Sequence, residues 1–71
     1  MIHVNASKLQ GKRGVLQLFE MEGRVVYEKP VEVLAGGYFT TEIYTNEISN
    51  GVYVVNLSTE KETLTYKTMK F

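Results

Sequence analysis

Residues 51–58 read Gly-Val-Tyr-Val-Val-Asn-Leu-Ser, and a β-strand is the element that suits them. Tyr53, Val55 and Leu57 recur at a spacing of two, so an extended chain puts all three on one face and Val54 and Asn56 on the other. β-Branched and aromatic side chains are stiff at χ1 and pack well on a pleated surface, which favours the strand over a helix. Ahead of the run, Asn50-Gly51 supplies a turn with a left-handed position. Behind it, the hydrophilic Thr59-Glu60-Lys61-Glu62 supplies a hairpin tip, which makes residues 63–71 the returning strand.

The same alternation extends towards the N-terminus. Ile2 and Val4 flank His3, Leu16 and Leu18 flank Gln17, Val31 and Val33 flank Glu32, and Thr41 and Ile43 flank Glu42. The stretch from Phe39 to Thr45 has the strand-favouring composition of Val52 to Leu57, and no stretch repeats its apolar residues at the spacing of a helix. All six glycines are read as lying between the runs, where positive φ is useful. Glu22-Gly23 closes a tight hairpin between Leu16–Glu20 and Arg24–Lys29, and Asn50-Gly51 repeats the device. Pro30 has no N–H for a ladder, which assigns it to an edge strand. In the final run Leu64 and Tyr66 share one face and Met69 and Phe71 the other, so a bulge near Lys67 would turn both pairs inward. The fold predicted is all-β: a small immunoglobulin-like antiparallel β-sandwich of about six to seven strands, with an open barrel as the structural alternative.

The chain of 71 residues has length for one core and little surplus for an enclosed active site, so residues 1–71 are read as one module. It contains no Cys, which excludes disulfides and thiolate metal sites. Eight Lys plus Arg balance eight Glu, so no field attracts nucleic acid or an anionic membrane. Met1 runs directly into Ile2-His3-Val4-Asn5 with neither a basic leader nor a long apolar segment, and no membrane insertion is expected. An initiator Met set against strand sequence also suits a fragment of a larger exported protein whose export signal lies elsewhere.

Few residues invite chemistry. His3 is the single histidine, and a general base or metal site needs a positioned partner beside it. Glu20, Glu22 and Glu28 bracket one hairpin, as a glycosidase pair might, but alternate glutamates on a strand read as its solvated face. Ser7, Ser49 and Ser58 lack a nucleophile-elbow pattern, so no catalysis and no cofactor are expected. Tyr53 should turn its ring into the interior and its hydroxyl to a backbone group. Tyr38, Phe39 and Tyr44 are less constrained and would suit a stacking platform for sugars if all three faced solvent.

Two stretches together resemble the C-terminal sorting domain of proteins exported by the type IX secretion system of Gram-negative Bacteroidota. Leu16-Gln17-Leu18-Phe19-Glu20-Met21-Glu22-Gly23-Arg24-Val25-Val26 is similar to the family's apolar-x-apolar-aromatic hairpin ending in Gly, a polar residue and two aliphatics, with Glu20 where Asn or Asp is usual. Ile48-Ser49-Asn50-Gly51-Val52-Tyr53-Val54-Val55-Asn56-Leu57 is similar to its turn followed by Gly-Val-Tyr and an aliphatic strand, with Asn56 where Lys is usual. Lys67, Met69 and Lys70 match its closing basic-x-aliphatic-basic pattern. The family's opening strand with its Pro-Asn-Pro motif has no counterpart.

The resemblance implies a secretion signal that sends a cargo through the periplasm to the cell surface or exterior. Its implied partners are the outer-membrane secretion machinery and a sortase that cleaves upstream of this chain. The residues matching the sorting motif are Gly23, Arg24, Gly51, Tyr53, Lys67 and Lys70; turn geometry alone also accounts for the two glycines. A sandwich without its opening strand exposes a bare edge, from which a homodimer by edge-strand pairing is expected. The alternative function is an immunoglobulin-like accessory or carbohydrate-binding module of a surface enzyme.

Overall fold

The computed structural model describes residues 2–44 and 48–70. Six strands and no helix appear among them: β1 (Ile2–Ala6), β2 (Arg13–Glu20), β3 (Val25–Glu32), β4 (Phe39–Ile43), β5 (Gly51–Thr59) and β6 (Thr63–Lys70). They form two antiparallel sheets, β1-β4 and β3-β2-β5-β6, packed as a small β-sandwich. The pairs β2/β3 and β5/β6 are hairpins, and β2 and β5 meet at the centre of the larger sheet. This is the C′-C-F-G arrangement of an immunoglobulin-like sheet, faced by a B-E pair that has no outer A or D strand among the described residues.

Alternation decides which face is buried. Ile2 and Val4 of β1, Phe39 and Ile43 of β4, Leu16 and Leu18 of β2, Val31 of β3, and Tyr53, Val55 and Leu57 of β5 form the core together with Leu9. The registers place Leu16 opposite Leu57 and Leu18 opposite Val55, so the centre of the core is a block of cross-strand aliphatic pairs. Lys29 reaches from β3 to donate to Thr41 Oγ1 of β4 at 2.6 Å, tying the sheets at one margin.

Several expectations need correction. Gly14 lies within β2, not between strands, and its Cβ position would be 2.0 Å from the Ser58 carbonyl oxygen. It is needed for close approach of β2 and β5, not for a turn. No bulge occurs near Lys67, because the β5/β6 register runs unbroken from Gly51–Lys70 to Ser58–Thr63 and Met69 stays 52% exposed. Phe71 and Thr45 lie outside the described residues. The irregularity falls instead in the β2/β3 pairing, where Leu18 faces Tyr27 but Phe19 faces Val25, leaving Val26 as the extra residue on β3. Asn50-Gly51 is not a hairpin tip either; it enters β5 at the crossing from the small sheet to the large one. Pro30 is on an edge strand, as expected, facing Val15 in the register.

The β5/β6 tip is tied to the 10–13 segment. The Glu60 carboxylate accepts from the backbone N–H groups of Lys12 and of Arg13, the latter at 3.1 Å, while Glu62 Oε2 accepts from Gln10 N–H at 3.1 Å and Thr59 Oγ1 donates to the Gln10 carbonyl at 2.6 Å. The Lys12 amide, followed by those of Glu60 itself and Arg13, holds the Glu60 carboxyl below the usual carboxylate range. A depressed folded pKa means stabilisation that is present above the unfolded value and lost as pH falls through the folded one. Glu60→Gln should therefore lower the melting temperature at neutral pH and flatten its decline on the acid side, measured by melts from neutrality to pH 3. Parallel wild-type and variant curves would show that the carboxylate does not hold this segment.

Candidate functional site

The sorting-motif residues are scattered through the sequence, yet the sheet topology gathers them. β2 ends at Glu20, which faces Tyr53 on β5, and Tyr53 in turn faces Thr68 on β6. The tip at residues 21–24, the start of β5 and the end of β6 thus lie at one end of the four-stranded sheet. Gly23 occupies the tip with φ 97°, open space around its Cα, and its N–H donated to the Glu20 carbonyl at 2.9 Å. Left-handed φ at that spot closes the hairpin. Arg24 follows, largely exposed, with one guanidinium nitrogen 3.1 Å from Glu20 Oε2. Such a surface pair contributes little stability.

Gly51 is exposed with φ 154° and pairs with Lys70. Tyr53, two residues on, is buried, and its hydroxyl donates to the Ser49 carbonyl at 2.5 Å. A tyrosine near the start of this strand bonded back to the backbone a few residues upstream is the tyrosine corner of immunoglobulin-like sandwiches. Lys70 points to the same turn and donates from Nζ to the Ile48 carbonyl. Tyr53 and Lys70 therefore clamp the 48–50 turn, whereas Lys67 is exposed on the opposite face of β6.

That outer face has a property that the reading of the motifs did not anticipate. One register row runs Val25–Phe19–Val54–Lys67 across all four strands, and the next pairs Val52 with Met69. Val25, Val52 and Met69 are exposed, as is Met21 in the hairpin tip. An apolar surface results with Lys67 at its β6 margin, while Arg24, paired with Glu20 in line with the buried Tyr53, lies towards the other face of the sheet end. Its signal was the unbroken apolar run Val52-Tyr53-Val54-Val55, in which core residues explain only every second position.

The catalytic candidates remain dispersed. His3 is exposed on β1, opposite Glu42, with Nδ1 3.5 Å from its carboxylate. Glu28 accepts from Gln17 Nε2 at 2.8 Å and Glu20 pairs with Arg24, so these two hairpin glutamates have separate surface partners, and Glu22 is exposed in the tip. No cluster of three metal-ligating side chains occurs among the described residues. The aromatic platform does not form: Phe39 is in the core, while Tyr38 and Tyr44, 61% and 72% exposed, flank the ends of β4, roughly 20 Å apart along extended chain.

Fold and surface together define an immunoglobulin-like β-sandwich module with a tyrosine corner and an apolar outer sheet end that carries Lys67. The chain belongs to the family of secretion system C-terminal sorting domains, whose family model matches residues 1–70. It is a sorting signal for type IX secretion cargo, which is exported through the periplasm to the cell surface or exterior by the type IX machinery. Domains of this family are non-catalytic in general. No curated protein and no solved structure matches the chain.

Proposed function

We propose that the secretion machinery reads the sheet end formed by Gly23, Arg24, Gly51 and Lys67, with Tyr53 and Lys70 holding that surface in shape. The observation that carries this reading is convergence: residues from two separate motifs and the closing basic pattern meet at one end of one sheet. Glycines at the tip and at the entry to β5 keep side chains out of the way, and Arg24 and Lys67 are exposed cations at that end, Lys67 beside the apolar rows of the outer face. Cationic groups at the rim of an apolar patch steer an acidic partner and fix its orientation.

On this reading residues 1–71 act as one non-enzymatic module of a larger cargo, and a sortase separates cargo from module upstream of β1. A second copy is the further partner. In the described residues each strand of the β1-β4 sheet has the other as its only strand partner, so antiparallel pairing between two such sheets is the route to a homodimer.

Arg24→Ala and Lys67→Ala, introduced singly into a reporter fusion, are expected to reduce export about tenfold or more while shifting the melting temperature by only a degree or two, since exposed charges contribute little stability. Wild-type export with both cations removed would place recognition elsewhere on the sandwich.

A further inference from the structure

The two edges of the four-stranded sheet are built differently. β3 is guarded along its length: Pro30 removes an N–H, the extra residue Val26 bends the strand, and Glu28, Lys29 and Glu32 put charges along it. Natural sheets use these devices to keep an edge from pairing with another chain. β6 has neither the proline nor the extra residue, and its charges are two lysines, Lys67 and Lys70. Thr63–Lys70 keeps an unbroken register with β5 over its eight residues and contains no Pro, no Gly and no acid. Its composition of Thr, Leu, Tyr, Met and Lys favours extended backbone on most positions. Among the described residues its strand partner is β5 alone, so its other side is a straight template for a further strand.

The charges indicate what fits there. Both charged residues of β6 are lysines, and Lys67 is exposed on the outer face next to the apolar row that ends in Met69. Self-pairing of β6 between two copies would bring four lysines and no acid to one ladder, and like charges close together across strands are destabilising. A strand with a carboxylate beside Lys67 has the opposite sign of interaction. We propose that β6 is a strand-addition site for an extended, acid-bearing segment of the export machinery, which becomes the fifth strand of the sheet with a carboxylate beside Lys67 and an apolar side chain beside Met69. The identity of the partner rests on the sorting function; the site itself rests on the asymmetry of the two edges.

The test is a titration of the 15N-labelled chain with two octapeptides, a Val-Glu peptide of sequence Thr-Val-Thr-Glu-Thr-Val-Thr-Glu and a Val-Lys peptide with Lys in place of both Glu, in which Val and the charged residue share one face two positions apart, as Lys67 and Met69 do. The Val-Glu peptide should shift the amide signals of residues 63–70 and slow their hydrogen exchange. The Val-Lys peptide should bind about tenfold more weakly, the ratio that accompanies one cross-strand charge pair changing sign. Lys67→Glu should reverse that order, and Lys67→Ala should abolish the preference. Equal binding of both peptides, shifts confined to other strands, or no binding at millimolar peptide would overturn the proposal. So would β6 amides already protected in a dimer detected by light scattering, since a second copy would then hold the edge. Wild-type export of a Lys67→Glu reporter fusion with reversed peptide preference would exclude the machinery as occupant and leave the sorting function intact. Failure of the unmodified fusion would instead strike the sorting function and leave the peptide result standing.

Discussion

Gly14→Val is expected to destabilise the sandwich by about 3 kcal/mol, at the upper end of what overpacking ordinarily costs. A Cβ at that position would sit 2.0 Å from the Ser58 carbonyl oxygen and 3.1 Å from Thr59 Cα, both backbone atoms of β5. Gly14 pairs with Val31 on one side and Thr59 on the other, so the chain cannot move away without opening a ladder of the large sheet. For a domain of this size the loss corresponds to a fall of roughly 10–20 °C in melting temperature. Gly23→Ala is the control, because its Cβ meets nothing and only the left-handed φ is strained, at about 1 kcal/mol. A Gly14→Val protein that melts with the wild type would mean that β2 and β5 do not approach this closely.

Truncation after Tyr66 is expected to abolish both folding and export. It removes residues 67–70 of β6, which pair with Val54, Tyr53, Val52 and Gly51, and with them the Lys70 tie to the Ile48 carbonyl. The start of β5 then loses its neighbour on one side, in a chain whose total stability is on the order of 5 kcal/mol. Lys67→Ala separates the two causes, because it removes an exposed cation and no pairing. Circular dichroism of the truncated chain and export of its fusion decide the matter together. A truncated protein that keeps its wild-type melt but is not exported would show that the basic end is read directly and that the strand is dispensable for folding.

How far the sequence reveals this molecule depends on the range of the interaction involved. Strand existence was legible because period-two alternation is a local property: Tyr53, Val55 and Leu57 had to share a face, and they do. The tip at Glu22-Gly23 and the edge position of Pro30 were legible because single residues restrict φ or lack a donor. Even the Tyr53 hydroxyl bond to backbone followed from burying a phenol. What depended on pairing was not legible. Gly14 looked like a turn residue because nothing local records that Ser58 presses against it, and Gly51 looked like a hairpin tip because local sequence does not say that β4 and β5 belong to different sheets. The bulge was misplaced for the same reason: an inward end for β6 was expected to be apolar, whereas Thr68 and Lys70 take the inner positions and Lys70 binds the turn. The gathering of Gly23, Arg24, Gly51 and Lys67 at one sheet end is likewise a product of register.

The central claim is that this chain is a secretion address, and the most direct measurement is fractionation of a periplasmic reporter fused through a flexible linker to residues 1–71, in a host with a functional type IX system. The reporter is expected at the cell surface or in the medium, and expected to stay in the periplasm when the host's type IX system is disabled. Retention of the folded fusion in the periplasm of the competent host, beside export of a control carrying an authentic sorting domain, would contradict the claim.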